Sequence, residues 1–309
     1  MKIRARGLCE RARIRALVRA LNVMLRPTPE QLAPLSRSER MWFRFADTIN
    51  RTPALKGAAT GFLKAVGRNW VAAATGNLTH LYGVEHLRAI PRDRGLFVIA
   101  NHRSFFDFYV ISSVLLRELS WIERMYFPVR ANFFYESALG SAVNGIMSAW
   151  AMYPPVMRDG PKRAFNNYAV EFVQEELERP GTVVGFHPEG TRGKGPDPYE
   201  LLPANIGAGA IVHKSRPTVL PVFTLGLIND FPRQVKSNFD GTGAPVTMVF
   251  GPPMDLDRYY AMPPRPRTFK ELAEAQRDEL VRLSQIEREY RRRDGLPDLS
   301  PNPASTAKP

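Results

Sequence analysis

The sequence holds a single cysteine, Cys9, among 309 residues. One thiol cannot form an intramolecular disulfide, and it excludes a metal site built from several cysteines. No internal repeat is evident, and charged residues interrupt every N-terminal stretch long enough to form the apolar core of a secretory signal. We therefore expect no secretory signal, and a reducing compartment is compatible with the cysteine content.

Long stretches without charge are also scarce. One segment, residues 137–157, has no charged side chain over a length that would suffice to cross a bilayer. Glycines, an asparagine and a pair of prolines interrupt it, and these residues disfavour a spanning helix. The pattern favours a buried helix that continues into a buried strand.

Acidic residues are outnumbered by basic ones. The chain has 43 lysines and arginines against 30 aspartates and glutamates, with a formal net charge of +13. Such an excess suggests an anionic partner: a membrane surface, a nucleic acid or a phosphorylated ligand. Over half of the net charge lies in residues 1–26. Because the sequence lacks the interleaved aromatics and groove-reading elements of nucleic-acid-binding proteins, we expect no nucleic acid partner.

The N-terminal region, residues 1–77, twice shows apolar residues at helical spacing. In residues 8–25 the apolar face is accompanied by arginines four positions apart, which predicts a basic amphipathic helix that ends before Pro27. Such a helix suits the headgroup layer of an anionic bilayer. The alternative is a helix packed on its own domain with a solvated arginine face. Residues 54–75 predict a second helix.

From residue 78 onward, short apolar strands alternate with helical segments. The candidate strands are 96–100, 124–129, 152–157, 182–187, 218–224 and 245–250, and the candidate helices are 105–118, 132–149, 161–178 and 204–214. This alternation predicts an α/β domain over residues 78–262, with a central mixed, largely parallel sheet flanked by helices. Residues 263–309 predict a charged helix, with residues 291–293 at its solvated end, and a disordered tail from residue 295.

A histidine and an aspartate five positions apart, His102 and Asp107, follow the candidate strand 96–100. Open α/β sheets build their sites at the carboxyl ends of strands. An imidazole held by a carboxylate can take a proton from a hydroxyl, because the negative charge stabilises the imidazolium that forms.

Two other roles remain open for this pair. Ser104 and Asp107 also fit a capping box, with the serine at the N-cap of the following helix and the carboxylate three positions later. The pair also supplies two metal ligands, but no third ligand with plausible spacing appears in the sequence. We therefore predict no metal site.

A second segment, residues 186–192, follows the apolar run 182–185. With Asn-His-x-x-x-x-Asp at residues 101–107, Pro-Glu-Gly-Thr-Arg at 188–192, an apolar strand ending in Arg158 and an apolar segment around Pro221, the chain resembles the glycerolipid acyltransferases. The best-known members of that family are the 1-acylglycerol-3-phosphate O-acyltransferases. The four segments occur in the family's order across about residues 80–255.

The resemblance implies a role for each motif residue. His102 would be the base that activates a hydroxyl, and Asp107 would orient its ring. Glu189 and Gly190 would lie near the acceptor, with the Gly190 amide as a candidate donor to the oxyanion. Thr191 and Arg192 would contact the acceptor phosphate. From the residues alone, Glu189 would either accept acceptor hydroxyls or lock its loop by pairing with an arginine.

The resemblance also places Arg158 on the phosphate, and Arg130 is an alternative anion contact. The sequence departs from the family's pattern at three places. Two prolines precede Arg158, Asn205 and Ile206 stand where a lysine or arginine is common before Gly207, and His187 replaces an aliphatic or aromatic residue beside the second motif.

The implied activity is transfer of a fatty acyl group from acyl-CoA or acyl carrier protein to the sn-2 hydroxyl of lysophosphatidic acid, which yields phosphatidic acid. No cofactor is implied. Glycerol 3-phosphate, another lysophospholipid or a lyso-aminolipid are alternative acceptors, and a basic membrane- or nucleic-acid-binding module without catalysis is the alternative from another class. The resemblance further implies that the N-terminal helices dock the enzyme on an anionic membrane at its cytoplasmic face.

Overall fold

The structure is a computed structural model that describes residues 25–300. The amphipathic helix predicted for residues 8–25 lies outside the described residues except for its last position. Residues 301–309 of the predicted tail also lie outside them. Docking of the N-terminal helices on a membrane therefore stays a prediction.

A six-stranded sheet forms the centre of the described chain. The strands are β1 (Thr79–Tyr82), β2 (Leu96–Ala100), β3 (Arg124–Tyr126), β4 (Val129–Arg130), β5 (Pro155–Val156), β6 (Thr182–Phe186), β7 (Thr218–Leu225) and β8 (Val246–Phe250). The central sheet has the order β1-β8-β7-β2-β6-β3, while β4 pairs only with β5. All neighbouring strands are parallel except β7 and β8. The predicted α/β class with a mixed, largely parallel sheet is confirmed.

Helices flank this sheet. They are α1 (Pro29–Leu32), α2 (Arg37–Arg51), α3 (Pro53–Phe62), α4 (Arg68–Thr75), α5 (Asp107–Glu118), α6 (Ala131–Phe134), α7 (Ala138–Ser148), α8 (Phe165–Leu177), α9 (Ile206–Ser215), α10 (Phe231–Asp240), α11 (Asp257–Tyr260) and α12 (Pro266–Arg293). A π-helical turn, Leu63–Gly67, joins α3 to α4. All five residues of β2 and of β8 are buried, as expected for inner strands covered on both faces.

Three predicted elements differ from the observed ones. The strand predicted at 152–157 is reduced to β5, because its two prolines lack the amide hydrogens that a central strand must donate. The strand predicted at 124–129 divides into β3 and β4, which belong to different sheets. The helix predicted at 132–149 is interrupted before Ser137, whose side chain caps the N-terminus of α7.

The second N-terminal helix, predicted at 54–75, is observed as α3, the π-helical turn and α4 in succession. It is fastened to the sheet through Lys56, whose ammonium group donates to the backbone oxygen of Met125 at 2.6 Å and to Asn50 Oδ1 at 2.8 Å. Met125 belongs to the edge strand β3, so α3 covers that edge. Within residues 25–300 no helix has both the length and the apolar character needed to cross a membrane.

The solvated helix end predicted at residues 291–293 is only partly correct. Arg292 and Arg293 are exposed, but the Arg291 side chain is 2% exposed. Its guanidinium donates to Glu287 Oε1 at 2.7 Å and to Thr247 Oγ1 at 2.9 Å, which joins α12 to β8. The backbone of Leu296 and Pro297 also bonds to Arg291, so the first residues after the helix turn back onto its end.

Adjacent arginines allow a matched test of this buried pair. Arg291→Ala leaves the fully buried Glu287 carboxylate without its cation, and we expect the free energy of unfolding to fall by about 3–5 kcal/mol. Arg292→Ala removes an exposed side chain and should change it by less than about 0.5 kcal/mol. Urea unfolding followed by circular dichroism measures both. Equal effects of the two substitutions would contradict a structural role for Arg291.

Candidate active site

The site lies where two neighbouring parallel strands end. Leu96–Ala100 and Thr182–Phe186 pair in register, so the loops that follow them emerge side by side. Asn101 holds the end of β2, because its buried side chain exchanges two hydrogen bonds of 2.8 Å with the backbone of Thr224 in β7. A cavity of about 680 Å³ opens at this edge and is lined by both loops.

His102 and Asp107 form the hydrogen bond that the sequence predicts. The His102 Nδ1 atom lies 3.0 Å from Asp107 Oδ2. The same oxygen accepts the backbone amides of Arg103 and Ser104, both at 2.9 Å. An ionised carboxylate only accepts, so Nδ1 carries the proton and Nε2 is left as the basic nitrogen. The His102 ring lines the cavity.

Only one of the two bonds of the predicted capping box is present, the one from the Ser104 amide to the Asp107 carboxylate. Helix α5 begins at Asp107 itself, and Phe106 is its N-cap, without a side-chain cap bond. The Ser104 hydroxyl instead accepts the Phe106 amide at 3.1 Å and donates to the Ile228 backbone oxygen at 3.3 Å. The Asp107 carboxylate therefore closes the turn before the helix and holds the imidazole at the same time.

Burial sets the charge state of the pair. Burial, and after it the positive charges of Arg192 and Arg130, together lower the pKa of His102 to about 3. Burial raises the pKa of Asp107 to about 6, against the stabilising hydrogen bonds from the Ser104 and Arg103 amides. At neutral pH the pair is therefore a carboxylate and a neutral imidazole, which is the state that a general base requires.

Glu189 locks its loop, but with backbone amides rather than with an arginine. Its Oε1 accepts the His102 amide at 2.8 Å, and its Oε2 accepts the Leu202 amide at 2.8 Å. The side chain is buried, and burial raises its pKa while these two bonds oppose the rise. Glu189 thus joins the loop after β2, the loop after β6 and the segment before α9.

Gly190 cannot serve as the predicted oxyanion donor in this conformation. Its amide donates to the His187 backbone oxygen at 2.9 Å, closing a tight turn. The residue has a φ of 63°, a value that favours glycine. Its carbonyl accepts from Arg158.

The three arginines predicted to contact the acceptor phosphate all line the cavity. Arg158 bonds to Gly190 O, Arg130 donates to Thr191 Oγ1 at 2.6 Å, and Arg192 donates to Asn229 Oδ1 at 3.0 Å. All of these partners are neutral oxygens, and burial together with the nearby charges of Arg158 and Arg192 lowers the pKa of Arg130. Arg130 and Arg158, predicted as alternatives, are therefore both present. This uncompensated positive charge suits a phosphate.

His187 is the site residue whose contact the sequence did not reveal. Its ring stacks on that of His102 with centroids 3.7 Å apart and planes inclined by 9°. Its Nδ1 donates to the Ala100 backbone oxygen at 3.0 Å, and burial lowers its pKa to about 3. In the sequence, only the departure from the family's pattern at this position indicates that His187 could belong to the site.

His187 also supplies the third metal ligand that was missing from the sequence. One ligand atom each from His102, Asp107 and His187 lie within 4.8 Å of one another. The two rings are nearly parallel, however, so their nitrogen lone pairs lie in separate planes and cannot both point at one ion. The two Nδ1 atoms are also already hydrogen-bonded. The arrangement fits a stacked pair of neutral rings better than a metal centre.

Arg163, Asn166, Lys194 and Asn205 also line the cavity, and much of the remaining wall is apolar. Aromatic rings come from the turn before α5, from α5 and from α6, and aliphatic side chains come from α8 and α9; they include Phe105, Phe108, Tyr109, Phe133, Phe134, Val170, Val173 and Ile211. One chamber therefore combines a base, an arginine cluster and an apolar wall. Such a chamber can hold a molecule with a charged head and a hydrocarbon chain.

The chain is similar to a known protein family and to a solved structure. A family model described as Acyltransferase matches residues 82–224. The crystal structure of the 1-acyl-sn-glycerophosphate (LPA) acyltransferase PlsC from Thermotoga maritima aligns with a TM-score of 0.43 at 18% identity, over 78% of this chain and 95% of that chain. Comparison with curated proteins gave no match. Residues 82–224, which carry the His102–Asp107 pair and the loop after β6, are thus an acyltransferase domain by their match to this family model.

Proposed function

We propose that this acyltransferase moves a fatty acyl group from acyl-CoA or acyl carrier protein to the sn-2 hydroxyl of lysophosphatidic acid. The observation that carries the proposal is the single chamber in which His102 lies between three arginines and an apolar wall. A lysophospholipid has the matching parts: a phosphate, a free hydroxyl and a hydrocarbon chain.

The reaction follows from the charge state of the pair. Neutral His102 takes the proton of the acceptor hydroxyl at Nε2, and the oxygen attacks the carbonyl carbon of the thioester. The tetrahedral intermediate then expels the thiol sulfur, which takes the proton back from His102. Asp107 stabilises the imidazolium between these steps. The acyl group passes directly to the acceptor, and the protein forms no covalent bond to it.

The arginine cluster supports a phosphorylated acceptor. Arg130, Arg158 and Arg192 are held by neutral oxygen atoms, so a phosphate entering the cavity gains three cations without displacing a carboxylate. Ile206 follows Asn205, which caps α9 through a 2.8 Å bond to the Gly207 amide. The basic residue common in the family is thus replaced here by a helix cap, and the three arginines supply the positive charge.

The product, phosphatidic acid, would belong to phospholipid synthesis. We further propose that the enzyme works on the cytoplasmic face of an anionic membrane, to which the basic residues 1–26 attach it. A binding module without catalysis would have no use for a buried carboxylate that fixes the tautomer of a neutral imidazole. The acyltransferase therefore remains the preferred function.

The negative charge of Asp107 is testable by an isosteric change. Asp107→Asn keeps an oxygen for the three donors but removes the charge that stabilises the imidazolium. We expect kcat to fall about 10²- to 10⁴-fold, the range of general base catalysis. Steady-state kinetics measures kcat. The control is Asp93→Asn, because Asp93 is an exposed aspartate that pairs with Arg94. A variant within threefold of the wild type would rule out the proposed pair.

Acceptor preference tests the proposed substrate. Purified protein should acylate lysophosphatidic acid in preference to a monoacylglycerol of the same chain. Arg158→Ala should raise KM for lysophosphatidic acid about 10- to 100-fold, since a hydrogen bond to a charged group is worth about 1.5–3 kcal/mol, and should leave the neutral acceptor unaffected. The exposed Arg117→Ala is the control. Inactivity toward every glycerophosphate acceptor would overturn the proposal.

A further inference from the structure

Helix α7 (Ala138–Ser148) exposes large apolar side chains that a helix at a water-facing surface would normally bury. Leu139 and Ile146 point outward with 76% and 70% of their surface exposed. The fully buried positions are small or polar, while Val143 and Met147 are half-buried against the core; the buried positions are Gly140, Ser141, Asn144, Gly145 and Ser148. A surface helix of a soluble domain normally buries its apolar stripe and exposes its polar one.

Packing fixes this orientation. A side chain at Gly140 would meet the Phe133 backbone oxygen at 2.5 Å, and one at Gly145 would meet the Trp150 ring at 2.5 Å. The buried side chains of Ser148 and Asn144 are paired with each other, because Ser148 Oγ donates to Asn144 Oδ1 at 2.6 Å. The helix therefore has no room to turn its leucine and isoleucine inward, and the exposed apolar face is a permanent feature.

The exposed face lies beside the cavity. The preceding helix α6 contributes Phe133, which lines the cavity and is also exposed, so it stands at the opening. On the other side, Trp150 packs edge-on against the exposed Phe45 of α2, with ring centroids 5.4 Å apart. Apolar side chains thus continue from the cavity mouth onto the N-terminal helices.

Helix α3 exposes apolar side chains in the same way. Its buried residues are Lys56 and Thr60, whereas Leu55 and Phe62 are exposed. Helix α7 packs next to the π-helical turn that continues α3, where Val66 is exposed as well. Apolar side chains exposed on α3, on the turn that follows it and on α7 therefore indicate an apolar face rather than an isolated apolar residue.

The charges around this face favour a lipid surface over a second copy of the chain. Residues 137–157 carry no charge, and α2 adds Arg37, Arg40 and Arg44 around the exposed Met41. The Ser38 hydroxyl bonds to the Glu136 backbone oxygen at 2.8 Å, which places this basic helix against the start of α7. A basic rim attracts anionic headgroups, whereas two copies facing each other would bring like charges together.

We propose that α7 and Phe133 insert into the hydrocarbon layer of an anionic bilayer, and that the cavity opens there so that the acceptor's chain enters sideways from the membrane. The insertion stands on the exposed apolar face alone, while the identity of the entering lipid rests on the proposed function. The basic segment of residues 1–26 would then attach the protein, and α7 would orient the cavity mouth.

Site-specific fluorescence tests the insertion on the full chain. In a Cys9→Ser background, Leu139→Cys and Ile146→Cys each carry an environment-sensitive dye. Glu274→Cys, exposed on α12, which packs on the inner strands β7 and β8, is the matched control. With vesicles of phosphatidylcholine and phosphatidylglycerol containing brominated lipid, the dyes at 139 and 146 should shift to the blue and lose at least about half of their emission. The dye at 274 should not change.

Two results would overturn the insertion. The first is that the protein sediments with these vesicles while the dyes at 139 and 146 stay unquenched. The second is that both dyes shift without lipid as the protein concentration rises and sedimentation velocity shows a dimer, because a second copy would then cover the face.

The kinetics of an α7 variant separate entry of the acceptor from the membrane from the chemical step. For the double variant Leu139→Gln/Ile146→Gln, kcat/KM should fall about tenfold or more with long-chain lysophosphatidic acid in vesicles, and stay unchanged with a short-chain acceptor that is monomeric in water. An equal fall in kcat/KM with both acceptors, or no fall with either, would overturn the proposed entry of the acceptor from the membrane. A wild type inactive on both would reject the proposed function, while the fluorescence result would still decide the insertion.

Discussion

The Glu189 carboxylate accepts hydrogen bonds from two backbone amides, those of His102 and Leu202, and the site depends on this pair of hydrogen bonds. Parallel pairing of β2 and β6 only brings the two loops to the same edge of the sheet. The carboxylate fixes their separation, because each of its oxygens is used by a different segment. A further bond of 2.8 Å from the Gly193 amide to the His102 backbone oxygen closes the contact from the other side. The imidazole, the glycine turn and the arginine loop are thereby held as one unit.

Opposite charges are kept apart inside this unit. The buried carboxylates of Asp107 and Glu189 accept hydrogen bonds from backbone amides and, for Asp107, from an imidazole. Neither of them forms an ion pair with an arginine of the cluster. Arg130, Arg158 and Arg192 are consequently held by neutral oxygens and remain available to an anion. Burial and, after it, the same positive charges lower the pKa of His102, so that the ring is neutral at neutral pH and free to accept a proton. One arrangement of charge therefore serves both acceptor binding and proton transfer.

Much of this was predictable from sequence, and the exceptions have physical causes. The strands 96–100 and 182–187 were predictable because buried parallel strands are continuous apolar runs, and the His102–Asp107 contact followed from their spacing. The His102–His187 stack was not, since it depends on the register of two strands far apart in the chain. The exposed apolar face of α7 was missed for a related reason: residues 137–157 show no charge, but only tertiary packing shows which face is outward.

Direct transfer of the acyl group is the central claim, and a reaction without acceptor tests it most directly. Enzyme would be mixed with a stoichiometric, radiolabelled acyl thioester, quenched with acid at intervals, and analysed for label on the protein and for free thiol. If His102 activates the acceptor hydroxyl, the protein stays unlabelled, and thiol appears only after lysophosphatidic acid is added. Labelled protein that forms without acceptor, at least as fast as turnover, would show an acyl-enzyme and contradict the mechanism.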